Sequence, residues 1–278
     1  MLKVAIIPNK KKDSQLEVTK KLVSLLGGRA EIIVPAEFEG KLQDVQYAED
    51  VYSVVDVAIV IGGDGTVINS ALPCAKADIP MLGINLGRVG FMSEVELCSI
   101  DEAMESFLKG DYEIEERMMM SVQISGADGD GKCFHALNDA VIEKAKDVKL
   151  IGLELFSDNE KISQYVADGI IVSTPTGSTG YNLSAGGPVV NPLMSLFVAT
   201  AICPHMLTAR PAVMPADKPI IIKLGGEIEG SAVACVDGEP VGQVNSGDRV
   251  IITKSQYSAK LIKIVRRSFY DTIIEKML

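Results

Sequence analysis

Residues 54–66 read VVDVAIVIGGDGT, and this stretch decides the fold class. The run at 54–61 is almost continuously apolar, which is typical of a strand buried on both faces of a parallel sheet. Two glycines follow it, and a helix is predicted at 66–76. A buried strand that passes through a glycine-rich turn into a helix is one step of an open α/β sheet.

Strand and helix signals alternate on both sides of this stretch, through the first 110 residues. Short apolar runs predict strands, and amphipathic stretches that end at glycine predict helices. Ser99 and Glu102 form a capping box that opens the last of these helices, which ends at Gly110. Strands are predicted at 4–7, 31–34, 54–61 and 81–84, and helices at 14–26, 66–76 and 99–110.

Strand signals dominate from Asp111 onward, so the chain changes to a β-rich domain. One helix is predicted after Asn191, and another at 269–277 that we expect to fold back on the first domain. The predicted organisation is an α/β domain at 1–110, a β-rich domain at 111–262 and a C-terminal tail at 263–278. The later strands are predicted at 113–125, 133–143, 149–156, 162–167, 169–173, 220–224, 232–236 and 249–252, with one more passing through Val213.

The composition is that of a globular protein and argues against several functional classes. The 278 residues carry 27 Lys and Arg against 37 Asp and Glu, a net charge of −10, which disfavours general binding to nucleic acid or to an anionic membrane. Five cysteines without a CxxC pair predict reduced thiols and a cytoplasmic location. Residues 169–209 lack charged side chains, but prolines and polar residues interrupt them, so they hold no apolar span of about 20 residues.

The segment Gly62-Gly63-Asp64-Gly65-Thr66 predicts a phosphate-binding loop. Glycines allow a tight turn and a close approach of the backbone to a ligand, and the N–H groups that open the next helix attract an anion. Asp64 places a negative charge beside a phosphate, which points to a chemical role. It could accept the proton of an attacking hydroxyl or bind the Mg²⁺ of a nucleotide. The alternative is a tight turn in which Asp64 only caps the helix.

A second candidate site begins at Asp168, where DGIIVSTPTGSTGYNLSAGGP runs to Pro188. Its backbone N–H groups and short hydroxyls suit a polar ligand, and Tyr181 can stack on an adenine ring. The alternative is a surface loop, although such a loop would normally carry charge.

A third candidate is Asn138-Asp139, at the end of an apolar strand. The amide of Asn138 suits the edge of an adenine, and the carboxylate of Asp139 suits a ribose diol. In isolation, a turn or a cap is the favoured interpretation of this pair.

Two further segments are interpreted as structural. Residues 126–133 resemble a Walker A loop, but Cys133 replaces the required Ser or Thr. That segment also joins two predicted strands, so a hairpin turn is predicted. The three lysines at 10–12 are interpreted as a solvated face.

Together these motifs resemble those of bacterial NAD kinases. The long block at 168–192 is the most specific, since GGDGT alone also occurs in lipid kinases and phosphofructokinases. The resemblance implies an open, mostly parallel sheet of the phosphofructokinase/diacylglycerol-kinase-like type in an N-terminal α/β domain, a β-rich C-terminal domain, and a site between them. The segments that carry it are GGDGT (62–66), GINLGRVGF (83–91), LNDAVIEK (137–144), the block at 168–192, CPHMLTARP (203–211) and VDGE (236–239).

The same resemblance implies the reaction and its partners. The γ-phosphate of ATP, with Mg²⁺ or another divalent cation, would pass to the 2′-hydroxyl on the adenosine ribose of NAD, giving NADP. NAD and ATP are the implied partners, with no permanently bound metal and a homo-oligomer, either a dimer or a tetramer. Asp64 would accept the proton, and Gly65 would lie against the same ligand. The phosphate loop would comprise Gly62, Gly63, Gly65 and Thr66.

Matched position by position, the resemblance also implies the contacts to NAD. Asn138 and Asp139 would bind its adenosine, and Asp168 its nicotinamide end. Lys149 lies where relatives often have a basic or imidazole contact, and Glu239 lies where Gln is common, which puts a neutral hydrogen bond there in doubt. The adenine pocket would be lined by Thr179, Gly180, Tyr181, Asn182, Leu183 and Ser184.

Two rival functions share some of these motifs. A lipid or sphingoid-base kinase also has GGDGT, but the polar block at 168–192 disfavours a lipid acceptor. A non-catalytic NAD sensor could have kept the pocket, but it would not need the carboxylate of Asp64 beside phosphates. The donor range, the choice between NAD and NADH, and feedback by the product are left open by the sequence.

Overall fold

The computed structural model describes residues 1–87, 90–126, 131–146, 148–225, 230–264 and 267–277. The chain forms two compact units: Met1–Glu116 together with Ala259–Leu278, and Arg117–Ser258. The boundaries predicted from sequence, after residues 110 and 262, lie a few residues from these limits.

The first unit alternates strands with helices and ends in a C-terminal helix. Two long strands, β7 (Glu113–Ser125) and β18 (Arg249–Lys263), each contain residues of both units. The other elements of the first unit are β1 (Leu2–Pro8), α1 (Glu17–Leu26), β2 (Ala30–Pro35), β3 (Gln46–Ala48), β4 (Val57–Gly62), α2 (Asp64–Lys76), β5 (Met81–Asn85), β6 (Val95–Glu96), α3 (Ile100–Lys109) and α5 (Phe269–Met277).

The strands of the first unit form a parallel sheet in the order β3-β2-β1-β4-β5. β6 and the end of β18 both pair parallel with β5. The strand order reverses between β1 and β4, and ligands of open α/β sheets bind outside the carboxyl ends of the strands at such a point. The residues that follow β1 and β4 are Asn9 and Gly63, so the fold places the glycine-rich loop at this position.

The apolar run in β4 is explained by its central place in the sheet. All six residues of β4 are buried, as expected for a parallel strand covered on both faces. Ile59 and Ile61 belong to one core cluster with Leu22 of α1 and Met104 of α3. Helices therefore cover this face of the sheet, and burial of their apolar stripes is the main force that holds the unit together.

The second unit consists of antiparallel strands. One sheet has the order β14-β13-β12-β9-β16-β17, and another contains β11-β10-β15-β18. Side chains of both sheets, such as Val172 and Leu153, meet in one core cluster. The elements of this unit are β8 (Cys133–Ala136), β9 (Asp139–Lys144), β10 (Ile151–Ser157), β11 (Glu160–Ala167), β12 (Gly169–Ser173), α4 (Tyr181–Ser184), β13 (Leu196–Ile202), β14 (Ala212–Pro215), β15 (Ile220–Leu224), β16 (Ser231–Val236) and β17 (Glu239–Asn245).

The predicted fold class is confirmed: an α/β unit with a mostly parallel sheet, a β-rich unit and a C-terminal helix. The helix predicted at 269–277 lies in the first unit, where the ring of Phe269 contacts that of Phe91, with centroids 6.1 Å apart. Part of the hairpin predicted at 126–133 falls on residues 127–130, outside the described residues. The strands that flank it, β7 and β8, do pair antiparallel.

Three helix starts differ from the sequence prediction, and one of these helices is α2, which begins at Asp64 rather than at Thr66. α1 begins at Glu17 because the carboxylate of Asp13 accepts hydrogen bonds from the N–H groups of Val18 (3.2 Å) and Thr19 (3.0 Å), which leaves residues 14–16 in a turn. The capping box at Ser99 is wrong, because the hydroxyl of Ser99 donates to the carbonyl of Glu96 (3.1 Å) and caps no helical N–H.

Two predictions in the second unit are also wrong. The strand predicted at 133–143 is interrupted at Leu137 and Asn138, whose N–H groups donate to the side chain of Asp237. The segment after Asn191 is a turn rather than a helix, since the side chain of Asn191 accepts the N–H of Leu193 (3.0 Å) and β13 begins soon afterwards. Such Asx turns compete with helix formation.

Within the described part of the chain, no helix combines the length and the hydrophobicity needed to cross a lipid bilayer.

The central strand of the first unit provides a test of this packing. Ile59 is fully buried, so Ile59→Ala should lower the free energy of unfolding by about 2–5 kcal/mol through lost burial and a cavity. Ile114→Ala in the same unit is the control, because Ile114 is 50% exposed. Urea denaturation followed by circular dichroism should show a clear loss for the first variant and almost none for the second.

Candidate active site

The glycine-rich loop after β4 turns sharply into α2. Gly63 is the N-cap residue and Asp64 the first helical residue. A Cβ atom on Gly62 would lie 2.2 Å from Oγ1 of Thr66, so only glycine lets the side chain of Thr66 fold back against the turn. Asn9, after β1, fixes that side chain by donating from Nδ2 to Oγ1 of Thr66 (2.8 Å). The carboxyl ends of β1 and β4 are thereby joined at the predicted phosphate loop.

The carboxylate of Asp64 is held by a second loop, at residues 90–93. Oδ2 accepts one hydrogen bond, from the N–H of Phe91 (2.8 Å). Oδ1 accepts three, from the N–H groups of Met92 (3.2 Å) and Ser93 (3.1 Å) and from the hydroxyl of Ser93 (2.9 Å). Asp64 makes no capping hydrogen bond to α2, so the capping alternative is wrong.

This arrangement fixes the position of the carboxylate and leaves one oxygen partly free. A carboxylate oxygen can accept about two hydrogen bonds, so Oδ1 is fully used by residues 92 and 93. Because one described residue donates to Oδ2, this oxygen keeps capacity for one more donor with respect to that part of the chain. Gly90 lies against the same group, because a Cβ atom there would be 1.9 Å from Oδ1 of Asp64.

A cavity of about 720 Å³ opens in front of Asp64. Two lysines line it: Lys12, which was interpreted from the sequence as part of a solvated face, and Lys276, which no motif singled out. Lys12 follows β1, and its Nζ would be 2.9 Å from a Cβ atom on Gly63. Lys276 comes from α5 at the far end of the chain. The cavity is lined by Lys12, Gly63, Asp64, Asn85, Gly87, Gly90, Glu96, Glu275 and Lys276.

The second unit contains its own carboxylate-centred turn, at Asn138-Asp139. The side chain of Asp237 accepts the N–H groups of Leu137 (2.7 Å), Asn138 (2.8 Å) and Asp139 (3.1 Å). These hydrogen bonds fix the bend at Leu137 and Asn138, and Asp139 is the first residue of β9. Asp237 was not identified from the sequence, because it follows Asn138 by 99 residues and nothing local relates the two.

Asp139 is buried beside this second carboxylate. Burial, and then the negative charge of Asp237, raise the pKa of Asp139 from 3.8 to about 7. Burial also raises the pKa of Asp237, while the three N–H donors act in the opposite direction. Near neutral pH the carboxyl of Asp139 can therefore carry a proton, and it can then donate as well as accept a hydrogen bond.

Asn138 has an acceptor that the protein does not use. Its Oδ1 is buried and has no hydrogen-bond partner among the described residues, a state that usually costs free energy unless a ligand or water supplies a donor. Glycines bring the next segment close, since a Cβ atom on Gly177 would lie 2.2 Å from the carbonyl oxygen of Asn138. One on Gly180 would lie 3.8 Å from its Nδ2. The side chain of Asn138 thus lies against a glycine-rich segment with a buried oxygen that no described residue uses.

Part of the block at 168–192 is core rather than ligand surface. Asn182 is fully buried, and its Nδ2 donates to the carbonyls of Ser178 (3.1 Å) and Pro188 (3.0 Å). Its Oδ1 accepts the hydroxyl of Thr200 (2.7 Å). Ser178 is also fully buried, and its hydroxyl donates to the carbonyl of Pro175 (2.7 Å). The absence of charge in this block thus reflects a satisfied internal network as well as any ligand.

Tyr181 presents its ring to solvent, with 41% of the residue exposed. Burial of part of the phenol raises its pKa, and the negative charges of Glu143, Asp139 and Asp168 act in the same direction. Asp168 itself forms an ion pair with Lys144 (2.6 Å).

The remaining predicted residues lie mainly at the edge of this surface. Lys149 is exposed, and its carbonyl accepts Nζ of Lys144 (3.0 Å). Glu239 is exposed at the start of β17. Ser184 is exposed, whereas Thr179, Gly180 and Leu183 are partly buried. Burial raises the pKa of Cys235, and the charges of Glu143, Asp139 and Glu239 act in the same direction, so this part of the second unit is acidic.

Comparison with known proteins identifies related sequences over nearly the whole chain. Models of the ATP-NAD kinase N-terminal and C-terminal domains match residues 4–112 and 137–264. An NAD kinase of Carboxydothermus hydrogenoformans is 39% identical over 253 residues, which cover 91% of this chain and 86% of the relative. An NAD kinase of Natranaerobius thermophilus is 36% identical over 282 residues, which cover 100% and 98%.

Solved structures show the same fold. The structure of yeast NADH kinase complexed with NADH matches 100% of this chain and 87% of that one, with a TM-score of 0.87 and 22% identity. The structure of an NAD kinase from Archaeoglobus fulgidus in complex with ATP matches 99% and 98%, with a TM-score of 0.74 and 24% identity.

The raised pKa of Asp139 predicts a pH-dependent contribution to stability. Between 3.8 and about 7 the folded state holds a proton that the unfolded state has lost. The free energy of unfolding should therefore fall as the pH rises through this interval, by about 1.4 kcal/mol per pH unit for this group. Asp139→Asn removes the titration, so the melting temperature of the variant relative to that of the native protein should increase between pH 5 and pH 8.

The matched control for that experiment is Asp217→Asn, which changes an exposed aspartate of the same unit. Its melting temperature relative to the native protein should be nearly the same at both pH values. An equally flat difference for Asp139→Asn would show that Asp139 titrates like an ordinary surface carboxylate.

Proposed function

The chain belongs to the ATP-NAD kinase family, and on that premise we propose that it transfers the γ-phosphate of ATP to the 2′-hydroxyl on the adenosine ribose of NAD. The observation that carries the proposal is the carboxylate of Asp64. Four donors from residues 91–93 hold it at the glycine-rich loop, on the wall of a cavity that also presents Lys12 and Lys276.

The phosphates of ATP would bind at the loop Gly62-Gly63-Asp64-Gly65-Thr66. The N–H groups of Asp64 and Gly65 have no acceptor within α2 and lie at the positive end of its dipole, whereas that of Thr66 donates to the carbonyl of Gly63 (2.9 Å). Lys12, whose ammonium group lies beside Gly63, adds a full positive charge at the same place. These groups attract a polyphosphate before any reaction takes place.

The adenosine of NAD would be bound by residues of the second unit. The unused Oδ1 of Asn138 is suited to accept the exocyclic amine of adenine. Asp139 would bind the ribose, and the exposed ring of Tyr181 would stack on the base. Asp168, Lys149 and Glu239 stay predictions as further NAD contacts, as do Thr179, Gly180, Asn182, Leu183 and Ser184.

In the reaction, Asp64 would act as the general base. Oδ2 accepts only one hydrogen bond from the described residues, so it is the oxygen with room for the 2′-hydroxyl of NAD. The hydroxyl proton would pass to Oδ2 as the ribose oxygen attacks the γ-phosphorus in line, and ADP would leave. Because residues 91–93 already hold the carboxylate, little reorganisation is needed when the substrates bind.

A divalent cation would enter with ATP. Magnesium in kinase sites is commonly bound by one or two carboxylates together with the phosphates of the substrate. Glu96, on the wall of the same cavity, offers a carboxylate of this kind. The cation would neutralise charge on the phosphates while the residues of the chain orient them.

Neither rival function accounts both for the phosphate loop with Asp64 and for the group formed by Asn138 and Tyr181. A lipid kinase would use the phosphate loop but would leave the unused amide oxygen of Asn138 without a purpose. A sensor would use Asn138 and Tyr181 but would not need a carboxylate held beside a phosphate loop. We also propose a cytoplasmic location and a homo-oligomeric state, the latter testable by sedimentation.

The role of Asp64 can be tested by replacing its charge. Asp64→Asn should reduce the kcat for NADP formation by a factor of at least about a hundred, since general bases contribute 10²–10⁴ in rate. NADP formation would be followed with an NADP-specific dehydrogenase. The donors tested would be ATP, other triphosphates and polyphosphate, and the acceptors would be NAD and NADH. NAD binding, measured by calorimetry, should change little.

The matched control is Ser93→Ala, which removes one hydrogen bond to Oδ1 and leaves the carboxylate intact. Its kcat should fall far less than that of Asp64→Asn. Native-like turnover by Asp64→Asn would exclude Asp64 as the base, and loss of NAD binding would reassign it to ligand positioning. Tight NAD binding without phosphate transfer by the native protein would favour the sensor.

The adenine contact has its own test at Tyr181. Tyr181→Leu should raise the KM for NAD by about tenfold, because stacking of a base on an aromatic ring contributes about 1–3 kcal/mol. Tyr181→Phe keeps the ring and should retain a nearly native KM for NAD. The KM for ATP should be unchanged in both variants, and equal KM values for NAD in the two variants would contradict stacking.

A further inference from the structure

The C-terminal helix α5 contacts the loop that holds Asp64. The ring of Phe269 lies 6.1 Å from that of Phe91, and Nζ of Lys276 lies 4.2 Å from the centre of the Phe91 ring. Phe91 in turn donates its N–H to Oδ2 of Asp64 (2.8 Å). A continuous series of contacts therefore joins α5 to the proposed base.

Lys276 also lines the cavity in front of Asp64, together with Lys12. Neither lysine forms a salt bridge to any residue that the structure describes. Glu275, the neighbour of Lys276, is paired with Arg267 and so does not neutralise it. The cavity is thus approached by two ammonium groups that have no carboxylate partner among the described residues, one from each end of the first unit's sequence.

We propose that Lys276 is a ligand of the terminal phosphates of the donor, acting together with Lys12. This inference rests on the proposed function for its substrate, ATP. Lys12 reaches the cavity beside Gly63 and Lys276 reaches it over Phe91, so the two would contact the polyphosphate at different points. An ammonium group donates up to three hydrogen bonds and has no acceptor, which suits phosphate oxygens.

The surroundings of Lys276 support this role. Burial lowers its pKa, and the negative charge of Asp64 acts in the opposite direction. An ammonium group that has lost part of its hydration gains more from an arriving anion than one in bulk water does. The alternative is that Lys276 only packs on Phe91 through a cation–π contact.

Two substitutions separate the alternatives. Lys276→Met keeps the length and apolar contact of the side chain but removes the charge, whereas Lys276→Arg keeps both the charge and the contact with the ring. Lys260→Met is the control, because Lys260 is in the same unit but pairs with Asp78 (2.5 Å) and does not line the cavity.

The first measurement is binding of inorganic tripolyphosphate by calorimetry, which needs neither NAD nor turnover. Lys276→Met should weaken binding by about tenfold or more, as expected for loss of a charged hydrogen bond. Lys276→Arg should restore most of it, and Lys260→Met should bind like the native protein. Native-like binding by Lys276→Met, with at most a lower melting temperature, would overturn the inference.

The second measurement is steady-state kinetics. Lys276→Met should raise the KM for ATP by about tenfold or more while the KM for NAD stays within about twofold. An equal rise in both KM values would contradict a contact specific to the donor. Absence of NADP formation by the native protein would refute the proposed function alone, because tripolyphosphate binding tests Lys276 independently.

Discussion

The hydrogen bonds to the carboxylate of Asp64 hold together two loops of the first unit, the glycine-rich loop and residues 91–93. Three consecutive N–H groups and one hydroxyl from residues 91–93 are directed at this carboxylate, and they would be left without an acceptor if it were absent. The cost of unpaired polar groups in a partly buried place keeps both loops in position. The same hydrogen bonds that stabilise the loops therefore also orient the proposed base.

The second unit also contains a carboxylate that accepts hydrogen bonds from consecutive backbone N–H groups. The carboxylate of Asp237 accepts three consecutive N–H groups and so forms the turn that presents Asn138 and Asp139. In each unit an acidic side chain far away in sequence shapes a short loop. In the first unit that side chain, Asp64, is itself the proposed base, whereas in the second the loop carries the proposed binding residues Asn138 and Asp139. A buried carboxylate paired with N–H groups in this way gives a rigid arrangement without an ion pair.

The features predicted from sequence are those set by local pattern. The apolar run of β4 and the glycines after it gave the buried strand, the turn and the helix α2, because burial on both faces and a tight turn each restrict the residues allowed. The helix at 269–277 was predicted in full from its periodicity. Asn138 and Asp139 were identified by chemistry, but the break in the strand before them depends on Asp237, which is distant in sequence.

The features that were missed depend on the arrangement of the chain in space. Lys12 lies beside Gly63 only because β1 and β4 are neighbours in the sheet, and Lys276 reaches the cavity only because α5 packs on Phe91. In the hydroxyl-rich block, the sequence analysis did not anticipate the internal network of Asn182, because an internal network and a ligand surface use the same polar residues.

The most direct test of the central claim, that Asp64 acts only when held in this position, is the turnover of Gly90→Ala. The added Cβ atom would lie 1.9 Å from Oδ1 of Asp64 and must displace the carboxylate, while every proposed catalytic group is kept. We expect NADP formation to fall by at least about a hundredfold, as for other small displacements of reacting groups, with tripolyphosphate and NAD still bound. A Gly90→Ala protein with a native kcat would contradict the account.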